Sequence, residues 1–267
     1  MRTALITLTI GDRYEMNWKD ICGPGWLAYA ERHGYDVIAL NQALDPSRRA
    51  QMRSPAWQKC LVLRPEIAGG YDRVVWLDAD ILINPDAPPI TDGVPLEKIG
   101  AMDESVFPSV EENRAYWNLV AAQHGKSTPT VELCRAAQNP RHWHAFWGLP
   151  SRGDHIVQTG VLVLSPTHHR GILEHVYHNY DDKGAAAYNY EMRPLSFEIQ
   201  ERKLPYWIDS RFNALLPFLL VPAHARRPIQ TQIELVQTIR SYLAGNYFLH
   251  FAGLQHLMGV AKLALGR

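Results

Sequence analysis

Asp78 and Asp80 stand one residue apart, directly after the apolar run Val74, Val75, Trp76 and Leu77, in the stretch YDRVVWLDADILINPD. β-Branched, aromatic and aliphatic residues in such a run read as a buried strand of an α/β sheet. Ligands of open sheets bind at the carboxyl ends of strands. Two carboxylates placed there can together hold one hard divalent cation. Alternatively, one holds the cation while the other orients a ligand hydroxyl, and Mg²⁺ and Mn²⁺ both accept such oxygen donors alongside phosphate. A solvated turn after a strand produces the same Asp-x-Asp spacing, so the pair needs support from elsewhere in the chain.

The elements that must position these acids alternate along the sequence. Arg2 to Ile10 reads as a strand, GWLAYAERHGYD as a helix closed by Gly34, and Tyr35 to Leu40 as a second strand. SPAWQKCLVLRPEIAGG opens with Ser54 as N-cap and Pro55 at the first helical position, and its Trp57, Leu61 and Ile67 recur at roughly helical spacing, predicting one helix up to Gly69. KIGAMD and IVQTGVLVLSP are further strands, the latter followed by a helix from Thr167 to Tyr180. The alternation implies an α/β domain with a sheet flanked by helices on both faces. From Glu104 to Asp154 the pattern loosens into short helices carrying Trp117, Trp143, Phe146 and Trp147, which reads as an insertion over the sheet edge.

Composition narrows the function classes. The 267 residues, 46% of them hydrophobic, suffice for one sizeable core and are short for two domains and a linker. Lys plus Arg and Asp plus Glu are both 27, so no overall field recruits nucleic acid or an acidic membrane. Cys22, Cys60 and Cys134 are widely spaced and in no CxxC arrangement, which suits thiols in a reducing compartment. The apolar run near Met1 is too short for a signal peptide, and no stretch approaches the roughly 20 apolar residues of a spanning helix. A soluble, cytoplasmic protein is expected.

The run from Ser54 to Asp86 does not stand alone. Together with TIGDRY and AYAERHGYDV upstream, and VQTGVLVLSP, YEMRPLSFEI and NYFLHFAGLQ downstream, it resembles a GT-A glycosyltransferase. The likeness is nearest to the retaining galactosyl-, xylosyl- and mannosyltransferase family and looser to the glycogenin-like enzymes, and its segments run in order over nearly the whole chain. It implies a single GT-A, Rossmann-like nucleotide-diphospho-sugar transferase domain with a mixed central sheet. Residues 1–103 would form the nucleotide-binding half, 104–154 an acceptor-side insertion and 155–267 the sugar and acceptor half.

Residue by residue, the resemblance implies that Asp78 and Asp80 bind Mn²⁺ (or Mg²⁺) and the diphosphate of a nucleotide-sugar donor, with His250 of HFAG as third protein ligand. The loop Thr9 to Tyr14 would meet the nucleoside, Thr9 through polar contacts and Tyr14 through its ring. Lys59, in a WxK pattern, would lie near the diphosphate and sugar. Two departures stand out. Relatives carry a Lys after HFxG, where this chain has Gln255, a neutral amide that cannot offset phosphate charge. EMR, Glu191 to Arg193, replaces an acidic pair followed by Gln, which leaves Glu191 as the acid nearest the anomeric carbon. The chemistry needs a cation at the leaving diphosphate and a carboxylate or carbonyl beside the oxocarbenium-like sugar, supplied by Glu191 or the side-chain oxygen of Gln158. The acceptor, a sugar, glycan or small molecule, would meet the Trp117, Trp143 and Trp147 rings, unless these form a small satellite core.

Other readings compete. A degenerate member would bind nucleotide or glycan without turnover. A haloacid-dehalogenase-type phosphatase also ends a strand in DxD, with the first Asp as nucleophile, but such motifs lie near the chain start and carry Thr or Val where Leu82 stands here. His142, His144, His168, His169, His175 and His178 lack Cys or acidic partners at zinc spacing and read as surface or cap residues. The amphipathic C-terminal stretch LQHLMGVAKLALGR is expected to pack on the sheet.

Overall fold

The computed structural model of the chain describes residues 1–124, 128–150, 152–183 and 190–266; residues 125–127 and 151 of the expected insertion lie outside them. Strands β1 (Thr3–Leu8), β2 (Tyr35–Leu40) and β3 (Arg73–Leu77) follow the apolar runs closely. β3 leads into a three-residue strand β4 (Ile81–Ile83), and β5 (Ile99–Asp103), β6 (Val157–Leu164) and β7 (Pro205–Trp207) complete the larger sheet in the order β2-β1-β3-β6-β5-β7. β1 runs parallel to β2 and β3, whereas β6 is antiparallel to both its neighbours, β3 and β5. The sheet is therefore mixed.

Side-chain alternation divides the core into two clusters, one on each face of the sheet. Leu5, Val75 and Leu77 join the cluster containing Trp26 and Tyr29 of the helix Gly23–His33. Ala4, Ile6, Val74 and Trp76 join Trp57, Leu61, Ile172 and Val176 in the other. Gly34 closes the Gly23–His33 helix in the left-handed region, at φ 69°. The helix expected over Ser54 to Gly69 is two pieces instead, a 3₁₀ segment Pro55–Leu61 and a short helix Pro65–Ala68. Pro65 is the cause: its ring excludes helical backbone at Arg64, which is extended at φ −60° and ψ 145°.

A second, small sheet was not legible. β4 pairs with β9 (Phe248–His250), which pairs with β8 (Ala214–Leu215), in the order β4-β9-β8.

The insertion folds as three capped helices, Val110–Ala122, Pro129–Ala136 and Pro140–Trp147, with Ser109, Thr128 and Asn139 accepting backbone N–H bonds at their starts. Trp117, Trp143 and Trp147 are only 9%, 5% and 4% exposed. They offer no open face to a sugar and form no satellite core either, since Trp117 and Trp143 join the cluster of Trp26 and Tyr29, and Trp147 joins that of Trp57 and Trp76; Trp117 meets Phe218 edge-on, and Trp143 lies under the Arg193 guanidinium. Two of the histidines expected at the surface, His144 and His169, are fully buried. His144 is held between the Pro140 carbonyl and the Ser196 hydroxyl, and His169 Nδ1 accepts from the Ser165 backbone N–H. The C-terminal helix Met258–Ala264 packs against the helix Gln232–Gly245 and the segment Trp18–Cys22 rather than on the sheet. All three cysteines are buried, and none forms a disulfide. Among the described residues no helix is long and apolar enough to cross a membrane.

Candidate functional site

The tripeptide Asp78-Ala79-Asp80 after β3 bridges the two sheets. Asp78 follows the last residue of β3, Asp80 precedes the first residue of β4, and the antiparallel register of β4 with β9 sets Ile81 opposite His250. A histidine far along the chain thereby arrives beside the strand-end acids: His250 Nε2 lies 3.3 Å from Asp80 Oδ1 and 3.7 Å from Asp78 Oδ2. Backbone bonds fix both acids, Asp78 N donating to Gly160 O (2.8 Å) and Phe251 N to Asp80 O (3.0 Å). Gly160 must be glycine, since a Cβ there would lie 2.3 Å from His250 Cε1.

Lys59 is buried, 4% exposed, and not the solvated lysine its helical position would suggest. Its Nζ lies 2.9 Å from Glu191 Oε1, 3.1 Å from Asp78 Oδ1 and 3.2 Å from the Thr159 carbonyl oxygen, over the Trp76 ring. Trp76 Nε1 donates to the same Asp78 oxygen at 2.9 Å, and Thr159 Oγ1 donates to Glu191 Oε1 at 3.2 Å. Burial alone would push the ammonium toward neutrality, but Asp78 and Glu191 outweigh it and hold Lys59 charged. Burial likewise opposes the Asp78 charge, and Lys59 with His250 overcomes it, so the carboxyl stays below its usual range. For His250 the sign is reversed: desolvation favours the neutral ring, yet Asp80 and Asp78 raise its affinity for a proton. The pocket is thus a place where two acids draw a positive charge toward Nε2.

Gln158 points away from open space. Its Oε1 accepts from Gly160 N (2.6 Å) and Asn213 Nδ2 (2.9 Å), and Asn213 Oδ1 meets His250 Nδ1 at 2.8 Å. The oxygen expected beside the anomeric carbon is committed to this buried network. Glu104 hydrogen-bonds the same Gln158 side chain; burial and the neighbouring Asp103 push its carboxyl up to about 7. Thr9 is also inward, 1% exposed, with its amide and hydroxyl both directed at the Leu40 carbonyl. It pins the turn to β2, and Tyr14, 46% exposed, stands not on a loop but on the short helix Asp12–Asn17 that follows Gly11. Tyr14 lines a cavity of about 220 Å³ with Arg13, Asn17, Gly253, Gln255 and His256. Gln255 ties this cavity to the acids, its Nε2 donating to Asp80 Oδ2 at 3.1 Å.

Asp78, Asp80, Lys59, Glu191, Gln158, His250 and Gln255 are therefore brought together, with Tyr14 at the adjoining cavity. Sequence reasoning missed Asn213, Glu104 and Trp76; for the last, its place two residues before Asp78 on the same strand was the available signal. Among the described residues no group of three His, Cys, Asp or Glu side chains is already gathered as a metal cage. The donors nevertheless fit a divalent cation. Asp78 Oδ2 and Asp80 Oδ1 both face His250 Nε2, the second at 3.3 Å, near the ~3 Å between adjacent donors on an octahedral ion, and the first wider, at 3.7 Å. Two oxygens and one imidazole suit Mn²⁺ or Mg²⁺ better than a soft metal.

Solved structures share the architecture. A glycosyltransferase involved in the glycosylation of the major capsid of PBCV-1 superposes with a TM-score of 0.54 at 12% sequence identity, over 97% of this chain and 98% of that one. The bifunctional glycosyltransferase WbbM superposes with a TM-score of 0.53 at 10% identity, over 94% of this chain, which spans 46% of that protein. No protein-family model matches the chain, and no curated protein matches it by sequence. The chain has a GT-A-like glycosyltransferase fold, a mixed α/β domain with its central sheet flanked by helices.

Proposed function

We propose that the chain is a metal-dependent glycosyltransferase that moves a hexosyl or pentosyl unit from a nucleotide-diphosphate sugar, UDP-linked in preference to GDP-linked, to a sugar, glycan or small-molecule acceptor with retention of configuration. One observation carries the reading: in a GT-A-like fold, Asp78, Asp80 and His250 converge where the two sheets meet, with the Lys59 cation buried behind Asp78. Asp78, Asp80 and His250 would hold Mn²⁺ or Mg²⁺, which when bound would offset the charge that collects on the departing diphosphate. Lys59 fixes the Asp78 carboxylate from behind. Tyr14 offers its ring to the base, and Arg13 and Gln255 line the route from that ring to Asp80. Glu191, held by Lys59 and Thr159, is the acid assigned to the sugar side. Gln158 supports His250 from within, and Thr9 supports the nucleoside loop. The acceptor approaches from the side of residues 104–154. Buried cysteines without a disulfide suit a cytoplasmic setting.

Gln255 favours a second reading, a degenerate member that binds nucleotide or glycan without turnover, because its neutral amide already occupies Asp80 Oδ2. Calorimetry of UDP and GDP binding with Mn²⁺ and with chelator tests the site, and Asp80→Ala should abolish the Mn²⁺-dependent part. Equal nucleotide affinity with metal and with chelator would sink the metal-dependent reading. Hydrolysis of a UDP-sugar in the presence of Mn²⁺ separates enzyme from binder.

A further inference from the structure

Behind His250 lies a buried line of amides whose donors and acceptors can be assigned without reference to any ligand. Gly160 N is a donor by constitution and sits 2.6 Å from Gln158 Oε1, so that atom is the amide oxygen; the Gln158 side chain also hydrogen-bonds the Glu104 carboxyl. Asn213 must then present its amino group to Gln158 Oε1 at 2.9 Å and its oxygen to His250 Nδ1 at 2.8 Å. An amide oxygen only accepts, so His250 Nδ1 carries a hydrogen. Flipping Asn213 alone would set two buried oxygens against each other at one end and two N–H groups at the other. The polarity of the line is set by the backbone of β6.

We propose that Asn213 is the positioning residue of the cation site: it holds His250 as the Nδ1–H tautomer and so turns the lone pair of Nε2 toward a divalent cation on Asp78 and Asp80. This rests on the metal-dependent reading above. An imidazole whose far nitrogen donates to a fixed acceptor is oriented and made a better ligand, and losing such a partner typically costs about 10- to 100-fold in metal affinity. Gly160 serves the same line from the other side, because its missing side chain is what lets the ring lie against the strand. Asn213 is fully buried, so its amide has no water to turn to.

The test is Mn²⁺ binding by the full chain, followed as loss of the free-ion EPR signal, with a thermal melt as the check on folding. Asn213→Leu, close in volume but unable to accept, is expected to bind Mn²⁺ about 10- to 100-fold more weakly. Asn213→Asp keeps an acceptor at Nδ1 and should escape that roughly 10- to 100-fold loss, even where the carboxylate facing the Gln158 oxygen lowers the melting temperature. Equal loss in both variants, or none in Asn213→Leu, overturns the assignment. If the leucine variant fails to fold, the ¹⁵N shifts of the His250 ring in the native chain with saturating Mg²⁺ decide: a hydrogen on Nδ1 alone is expected, and a hydrogen on Nε2 overturns it. A native chain that shows this tautomer and binds Mn²⁺ but neither UDP nor GDP supports the positioning role and counts against the glycosyltransferase reading.

Discussion

Replacing Lys59 by methionine should strand a charge. The two side chains have similar length, so the packing of the 3₁₀ segment is largely kept, but Glu191, 3% exposed, loses the ammonium 2.9 Å from its Oε1. Removing one partner of a buried pair leaves an uncompensated buried charge and costs about 3 to 5 kcal/mol. Asp78 loses its partner too, at 3.1 Å, but its side chain is 32% exposed, so water can replace much of that contact and the further loss is small. Each kcal/mol moves the melting temperature of a domain of this size by about 2 to 4 °C, so Lys59→Met should melt roughly 6 to 20 °C lower. Adding Glu191→Gln removes the stranded charge and should recover most of the loss, making the pair strongly non-additive. Urea unfolding of the native chain, both single variants and the double variant, followed by tryptophan fluorescence, measures this cycle. A loss under about 1 kcal/mol for Lys59→Met, or simple additivity, would refute the idea that Lys59 is the counter-charge of a buried acid.

Three further outcomes are expected. Arg13→Gln should weaken binding of UDP with Mn²⁺ by the roughly 1 to 3 kcal/mol of a charge-assisted contact and leave uridine unchanged; calorimetry of both ligands checks it, and an unchanged UDP affinity removes the diphosphate from the cavity beside Gln255. Trp147→Ala should cost about 3 to 5 kcal/mol of stability with little change in nucleotide affinity, because the ring is core at 4% exposure; near-native stability in urea would return it to the surface. His144 and His169 are pushed by burial from an ordinary 6.5 down to about 4, so below pH 6.5 the unfolded chain binds protons that the folded chain does not. Their contribution is present above about pH 6.5 and is lost as pH falls toward 4, by up to about 3 kcal/mol for each group. The double variant His144→Gln, His169→Gln should flatten that slope in denaturant titrations between pH 7 and 4.

Apolar runs made β1, β3, β5 and β6 readable, because a buried strand needs nothing beyond its own residues to announce itself, and the edge strand β2, with no buried residue, was readable from its place after the helix-closing Gly34. The direction in which β6 pairs is a relation between distant segments, and no local periodicity carries it. Short elements escaped for a different reason: β4 and β8 are three and two residues long, too few for a pattern. In the site, the acids were visible from their place at a strand end, and His250 only through the family likeness. Asn213 gave no signal, since an asparagine before a two-residue strand looks like any turn residue. Pro65 was visible, and its effect on Arg64 follows from ring sterics; the helical spacing of Trp57, Leu61 and Ile67 masked it. The Trp117, Trp143 and Trp147 rings show the opposite limit, as aromatic spacing alone does not tell a buried face from an open one.

The small sheet β4-β9-β8 has a consequence for the timing of synthesis. Its middle strand leaves the ribosome well after the carboxylates it completes, which emerge with β3 and β4. At about 5 to 20 residues per second, roughly 9 to 34 s separate Asp80 from His250 during translation. Through that interval the nascent chain carries an acidic strand end without its imidazole or its edge partner. On the metal-dependent reading, a site complete in all three side chains can therefore form only after the strands of the large sheet have been made, and a chain released before Phe248 to His250 is made lacks His250 altogether.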